Sequence, residues 1–251
     1  MGGGKRIQDY DLLVRISFCP NQGRALAWAS PFVRHPDTER PITGIICISK
    51  FGDATFKKVR DSVNKGTGTL IHEFAHIISF SDFDKWHPKC LKKDNSIKRW
   101  KWTCGNVLKV ARKHYGCNSL DGVPLSDENG KAGSHWSERF LVDELLTPIT
   151  EDSVPDIVSP MTLALCEDTK WYKANYNYSE NYVHGKGAGC NVFGKSCKSP
   201  QVCKIGTNNF ITSDFMGIGY CKADDRGCAQ ELKYSTRNCN IATGWGASGI
   251  P

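Results

Sequence analysis

The sequence lacks several features that would at once assign it to a protein class. No apolar run approaches the ~18 residues of a transmembrane helix, and the mean hydropathy is −0.42, so we expect no membrane span. No two cysteines form a C-x-x-C pair, which argues against a zinc ribbon or a thioredoxin-type redox site. The opening residues MGGGKR are not followed by an apolar segment, so no secretory signal peptide is visible.

Cysteine, in contrast, is abundant. The 251 residues contain 12 cysteines against three methionines, in a chain that is otherwise 39% hydrophobic and 24% charged, as globular proteins are. An even number of cysteines, crowded toward the C-terminal end, predicts a disulfide-bonded protein that is secreted or lies at the cell surface. Since this conflicts with the missing signal, we expect the sequence to be a fragment or an incomplete gene model that lacks its own start.

The net charge is +7, from 33 Lys and Arg against 26 Asp and Glu. Basic and tryptophan residues alternate between residues 85 and 102, a mixture that single-strand nucleic-acid binders also use. A solvated lysine-rich insertion anchored by a few tryptophans explains the same residues more simply. We therefore expect no nucleic-acid partner, and keep a disulfide-rich nucleic-acid binder only as a third hypothesis.

Hydrophobic periodicity predicts strands and helices. Short runs rich in apolar residues predict strands over 11–17, 25–29 and 42–49. Helical spacing predicts helices over 54–63, from Thr67 or Thr69 to about Ser79, over 107–115 with a stop at Gly116, and over 160–169. Residues 121–133 are predicted to be turn-rich, and the chain beyond residue 178 to be rich in loops.

The strongest functional signal is the pentad His72-Glu73-Phe74-Ala75-His76. On a helix the two histidines lie 40° apart, at 100° per residue, and could bind one Zn²⁺, while Glu73 can act as general base. The alternative is a pair of surface histidines beside an acid. We expect the histidine face to border a cleft and the opposite arc to be buried; that arc comprises Leu70, Ile71, Phe74, Ala75, Ile77 and Ile78.

A zinc peptidase needs a third protein ligand and leaves the fourth position to water. No Glu occurs between Glu73 and Glu128, which disfavours the enzymes that use a downstream Glu. The longer pattern H-E-x-x-H-x-x-G-x-x-H has Ser79 at its glycine and Asp82 at its last histidine, so Asp82 is one candidate. The other candidates are His87, His114, His135 and His184.

A family resemblance runs through much of the chain. The segments that carry it are RPITGIICIS, HEFAHIISFS, GVPLSDENGKAGSHW, DELLTP, SPMTLALCEDTKWYKANY, GKGAGC and DFMGIGYC. In these segments and their order, the chain resembles leishmanolysin, the surface metalloprotease of kinetoplastid parasites, and its relatives. The resemblance implies a metzincin-like α+β fold with an N-terminal mixed sheet, a zinc-site helix and a disulfide-rich, mostly irregular C-terminal lobe.

The resemblance also implies a third ligand. In the family that ligand follows a long insertion and directly precedes a tryptophan, which here is His135 before Trp136. It divides the chain into an N-terminal catalytic subdomain at 1–81, an insertion at 82–134 and a C-terminal lobe at 135–251. His87, His114 and His184 are then expected to be surface or structural histidines.

Two positions depart from the family pattern. Ser79 replaces a glycine that eases a left-handed helix exit, which predicts strain of about 1 kcal/mol. Leu146 replaces the methionine that lies beneath the metal, although leucine matches methionine closely in volume and can still supply an apolar floor.

The sequence thus predicts a zinc metalloendopeptidase that acts on proteins or peptides. His72, His76 and His135 would hold one Zn²⁺, and Glu73 would be the general base. Peripheral association with a membrane or cell surface is a further expectation from the family. The rival hypothesis is a catalytically inactive adhesion or binding module on the same fold, motivated by Ser79 and Leu146.

Overall fold

The computed structural model describes residues 10–20, 25–49, 63–148, 157–193, 203–211, 218–223 and 229–233. The helix predicted over 54–63 lies outside these ranges except for its last residue. The chain divides into two compact units, Met1–Asp82 and Phe83–Pro251. The three-part division predicted from the sequence stays a prediction.

The first unit contains a mixed three-stranded sheet. Its strands are β1 (Leu13–Cys19), β2 (Ala27–Arg34) and β3 (Pro41–Ser49), in the order β1-β3-β2. β1 runs parallel and β2 antiparallel to the central β3, so the predicted N-terminal mixed sheet is confirmed. β3 has a run rich in β-branched residues and several buried positions, as a central strand requires.

Helix α1 (Val63–Ile78) packs against β2 and β3. Its closest approach is at Gly44 of β3, where a Cβ atom would lie 2.5 Å from Cγ2 of the fully buried Ile77. A side chain at residue 44 would therefore push the helix outward. The missing Cβ sets how closely α1 lies on its sheet.

The predicted limits of α1 were wrong at its start. The helix begins at Val63 rather than at Thr67 or Thr69, so that Gly66 and Gly68 lie within it. Glycine costs about 1 kcal/mol relative to alanine in a helix interior. Packing against a sheet stabilises a helix far more than propensity does, which allows α1 to continue through both glycines.

The predicted buried arc of α1 is confirmed only in part, because Ala75 and Ile77 are buried but two other members of the arc are exposed. Ile71 is 45% exposed and Phe74 is 39% exposed, whereas His72, Glu73 and His76 are all below 9%. Periodicity assigns apolar residues to the interior, but it cannot show that a polar face is itself covered. The histidine face of this helix is buried.

The second unit is built on an antiparallel sheet and two main helices. After the short helix α2 (Phe83–Trp86), the strands follow in the order β4-β5-β6-β7. Helix α3 follows β5, and helix α4, later in the chain, packs against α3. The bounds are β4 (Leu91–Asp94), β5 (Arg99–Trp102), α3 (Gly105–Tyr115), β6 (Val123–Glu128), β7 (Lys131–Trp136) and α4 (Pro160–Asp168).

Strands β4 to β7 were not predicted, and the turn-rich prediction for 121–133 was wrong. β6 and β7 form a hairpin there, with Asn129 and Gly130 at its turn, both at positive φ. The sequence of β5 does not show the alternation of apolar and polar residues that is typical of a strand, because the buried position is occupied by Lys101. Its ammonium binds Asp94 at 2.5 Å and Asp121 at 2.8 Å. A lysine paired in this way occupies a core position that hydropathy assigns to solvent.

Both predicted helix ends in this unit are confirmed. α3 stops where Gly116 adopts a left-handed φ of 68° and donates its N–H to Arg112 O. α4 starts where the Ser159 side chain accepts the N–H of Thr162.

Disulfides and a small sheet complete the described chain. The bridges are Cys19–Cys47, Cys90–Cys104, Cys117–Cys190 and Cys203–Cys221, so the predicted disulfide-bonded character is confirmed. The sheet contains β8 (Asn208–Ile211), β9 (Ile218–Ala223) and β10 (Ala229–Lys233), all antiparallel. The α+β class is confirmed, and no helix in the described ranges is long and apolar enough to cross a bilayer.

Candidate metal centre

His72 and His76 lie one turn apart on α1, as the pentad predicts. Their Nε2 atoms are 3.0 Å apart, and their ring centroids are 4.7 Å apart at an interplanar angle of 76°. Both side chains are buried, so water competes little for their nitrogens. Two Nε2 atoms at this separation can bind the same ion.

The helix end determines which nitrogen of His76 is available. His76 Nδ1 lies 2.7 Å from the main-chain carbonyl of Phe80, which can only accept a hydrogen bond. Nδ1 therefore carries the proton, and Nε2 presents its lone pair. A hydrogen bond of this kind to the second ring nitrogen is the usual support for a metal-binding histidine.

Glu73 directly follows His72 on α1, and its side chain is also buried. Its Oε2 atom has no hydrogen-bond partner within the described part of the chain. Burial raises the pKa of Glu73 to about 7. A buried carboxylate oxygen without a donor is costly for a purely structural residue, and it suits a group that exchanges a proton near neutral pH.

His135 lies on β7 and faces a carboxylate of the neighbouring strand. Its Nδ1 atom is 3.7 Å from Glu128 Oε1, an ion-pair distance rather than a close hydrogen bond. The His135 ring is the main cause that lowers the pKa of Glu128, and it outweighs partial burial, which would raise that pKa. Ser134 lowers the pKa further, because its N–H donates to Glu128 Oε1 at 3.1 Å. A proton on Nδ1 facing this carboxylate would make Nε2 the metal-binding nitrogen.

The three predicted histidines form one group. One ligand atom from each of His72, His76 and His135 lies within 4.8 Å of the other two. Nitrogens that are 2.0–2.1 Å from a shared zinc ion in tetrahedral geometry lie about 3.4 Å apart, so small side-chain rotations would suffice. Three imidazoles with no sulfur or oxygen ligand suit zinc better than Mg²⁺ or Ca²⁺.

The other candidate ligands are used differently. Asp82 is exposed with a φ of 45° and is not part of the three-histidine group. His87 packs against Trp171, with ring centroids 4.8 Å apart. His114 Nε2 lies 2.8 Å from the carbonyl of His184, which places both residues in a structural contact.

Ser79 does not carry the strain that its replacement of glycine predicted. Within the described chain, the residue with positive φ in the segment that follows α1 is Asp82, so Ser79 leaves the helix with ordinary backbone geometry. Ser79 is 2% exposed, and its N–H donates to Ala75 O at 2.9 Å. The expectation was wrong because the left-handed turn falls three residues later.

Leu146 contacts the strand that carries His135. It is fully buried, and its carbonyl accepts the N–H of Trp136 at 2.8 Å. The main chain at Leu146 is thus hydrogen-bonded to the residue after the proposed ligand. That its side chain supplies an apolar floor beneath the metal stays a prediction.

Sequence reasoning missed Glu128, although a signal was present. The dipeptide Asn129-Gly130 is a strong hairpin signal, and it pairs Glu128 with Lys131 across the turn. Recognising that turn would have placed Glu128 on the strand beside His135. The carbonyl of Phe80 had no such signal, because its role depends only on how the chain leaves α1.

Comparisons with known proteins agree on one family. The family model described as leishmanolysin matches residues 4–240. The chain is 40% identical to a leishmanolysin-like peptidase of Drosophila pseudoobscura pseudoobscura, over 78% of this chain and 35% of that protein. It is 27% identical to a ciliated left-right organizer metallopeptidase of Mus musculus, over 90% of this chain and 34% of that protein.

A third relative comes from a kinetoplastid. The chain is 25% identical to leishmanolysin of Leishmania donovani, over 79% of this chain and 33% of that protein. The chain spans about a third of the length of these three curated relatives.

Proposed function

Because the chain belongs to the leishmanolysin family of peptidases, we propose that it is a zinc-dependent metalloendopeptidase in which His72, His76 and His135 hold one zinc ion. The α+β fold agrees with the metzincin-like fold of that family. The family and the three-histidine group together support a zinc metallopeptidase in general. The role of each residue belongs to the proposal.

The proposal rests on the group of three imidazole nitrogens and on the buried carboxylate of Glu73, whose Oε2 atom accepts no hydrogen bond within the described chain. When bound, zinc would supply Lewis acidity that polarises the scissile carbonyl and makes water nucleophilic near neutral pH. The Oε2 atom of Glu73 would accept the proton of the attacking water and deliver it to the leaving amine nitrogen. The Phe80 carbonyl would hold the His76 proton on Nδ1, so that Nε2 is the nitrogen that binds the metal.

Proteins or peptides are the substrates that a peptidase family implies. The family is secreted or at the cell surface, and four disulfides in the described chain fit an oxidising compartment. We propose the same location for this chain, with a peripheral association to the membrane or cell surface as the finer expectation.

Replacing Glu73 by Gln tests the proposed roles. The variant keeps the three histidines and the side-chain volume, so zinc content should stay at one ion per chain. Cleavage of casein should fall by about 10²-fold or more, the usual size of a lost general base. Undiminished cleavage by E73Q would overturn the role of Glu73.

A matched variant tests the metal site. His135→Ala should lose zinc, whereas His114→Ala removes a histidine that contacts the His184 carbonyl and should retain it. Equal zinc content in the H135A variant and the unmodified chain would contradict the three-histidine site.

The second candidate function is an inactive adhesion or binding module, which the replacement of methionine by Leu146 still favours. Such a module would bind zinc without cleaving casein. Chelator-sensitive cleavage by the unmodified chain excludes it.

A further inference from the structure

Glu144 is a fully buried acid for which the proposed chemistry has no use. Its Oε2 atom accepts the N–H of Leu146 at 2.6 Å. Its Oε1 atom accepts the hydroxyl of Ser159 at 2.8 Å, the N–H of Ser159 at 3.3 Å and the hydroxyl of Thr162. Four neutral donors thus converge on one carboxylate.

Two chains of hydrogen bonds lead from this carboxylate to Trp136. Along the main chain, Leu146 donates to Glu144 and accepts the N–H of Trp136 at 2.8 Å. Along the side chains, the indole Nε1 of Trp136 donates to Thr162 Oγ1 at 2.8 Å, and Thr162 donates to Glu144. Both the backbone and the ring of Trp136 are therefore tied to the same group.

Trp136 is fully buried and directly follows His135 on β7. When the backbone N–H and the indole are both held, the peptide between residues 135 and 136 has little freedom to rotate. The direction of the His135 side chain depends on that backbone. A change at Glu144 would therefore alter the orientation of the His135 ring.

The type of group at residue 144 matters as well as its position. An ionised carboxylate only accepts hydrogen bonds, so it can satisfy all four donors at once. A buried charge is a poor source of stability compared with apolar packing, but a satisfied polar network specifies one geometry. That combination is expected where orientation is needed more than stability.

We propose that Glu144 is a positioning residue: it holds the main chain at Leu146 and the indole of Trp136, and so directs His135 toward the zinc ion. The proposal rests on the proposed function, because it takes His135 as a ligand. It assigns Glu144 no contact with substrate or metal.

The first test compares Glu144→Gln with Asp168→Asn. Gln keeps the shape of the side chain but turns an amide toward hydrogen-bond donors. Asp168 is a matched control, since this buried acid of the same unit accepts the indole N–H of Trp102 and the main-chain N–H groups of Asn106 and Val107. Both replacements should lower the urea midpoint of unfolding.

Metal binding separates the two variants. Zinc affinity would be measured by competition with a chelator at pH 8, above the value of about 7 to which burial raises the pKa of Glu144. E144Q should bind zinc about 10-fold more weakly or worse, the usual effect of losing an outer-shell partner. Its Co²⁺-substituted form should show altered d–d bands, while D168N should match the unmodified chain in both measurements.

A second pair of variants applies if E144Q does not fold. Thr162→Val removes the hydroxyl that joins the indole to the carboxylate, and Thr162→Ser restores it. T162V should weaken zinc binding and alter the Co²⁺ spectrum, and T162S should return both to the values of the unmodified chain.

The outcomes are distinguishable. Unchanged zinc affinity and Co²⁺ spectra in folded E144Q or T162V, or equal losses in D168N, would overturn the positioning role. If H135A itself binds zinc as tightly as the unmodified chain, the proposed function fails first.

Discussion

At the scale of single residues, the way in which the chain leaves α1 determines which nitrogen of His76 carries the proton. Ser79 and Phe80 both donate their N–H groups to Ala75 O at 2.9 Å, which closes the last turn of the helix. That closure places the Phe80 carbonyl against His76 Nδ1. The residues just after the helix therefore orient the His76 ring through a main-chain carbonyl.

Replacing Ser79 by Gly should destabilise the protein rather than relieve strain. Ser79 has ordinary backbone geometry, so glycine would only add freedom to the unfolded chain, at a cost of about 0.5–1 kcal/mol. Urea unfolding of S79G and of S79A, which removes the hydroxyl alone, measures the effect. A higher unfolding midpoint for S79G would show that the serine is strained.

At the scale of elements, the position of α1 depends on Gly44 of β3, whose missing side chain leaves room for Ile77. Gly44→Ala would place a Cβ atom 2.5 to 2.9 Å from three atoms of Ile77. We expect a loss of about 1–3 kcal/mol in the free energy of unfolding, as for other overpacked cores. Adding Ile77→Ala should recover part of the loss.

The matched control for that helix contact is Gly105→Ala, because a Cβ there meets nothing within 4 Å. Urea unfolding of G105A should match the unmodified chain or exceed it in stability. A G44A variant as stable as G105A would contradict the close approach of α1 to β3.

The hairpin of β4 and β5 should give the protein a defined acid sensitivity. Partial burial alone would raise the pKa of Asp94, but hydrogen bonds from Lys101 and Ser96 hold that pKa well below its usual value. A carboxylate with a lowered folded-state pKa stabilises the fold above its unfolded pKa of about 4 and loses that effect as the pH falls.

Asp94→Asn should therefore lower the free energy of unfolding at pH 6, and the difference from the unmodified chain should shrink below about pH 4. Urea unfolding across this range measures it, with Asp84→Asn, an exposed acid of α2, as the control. A difference that does not change with pH would exclude the ion pair as its cause.

At the scale of the whole molecule, covalent bridges connect segments that are far apart in the sequence. Cys117–Cys190 spans 73 residues and Cys90–Cys104 spans 14. In the chain-entropy description, closing the longer loop stabilises by about 4 kcal/mol and the shorter by about 3 kcal/mol.

Removing both cysteines of the longer bridge should therefore cost more stability than removing both of the shorter. The double variants C117S/C190S and C90S/C104S would be compared by urea unfolding under oxidising conditions. The opposite order would show that native contacts, rather than loop closure, decide what each bridge contributes.

The sequence alone determined the local features of this protein. The pentad at 72–76, the strand at 42–49, the stop of α3 at Gly116 and the start of α4 at residue 160 are visible because periodicity and a left-handed glycine act over a few residues. The resemblance of longer segments to a family added His135, which spacing alone left among several candidates.

Only the tertiary structure decided which distant groups meet. The burial of the histidine face and the network that links Trp136 and Glu144 to Ser159 and Thr162 depend on residues that are not neighbours in the sequence. Their contacts depend on strand register and chain reversal, which local propensity does not encode. Packing likewise overrode propensity where α1 runs through two glycines and where β5 buries Lys101.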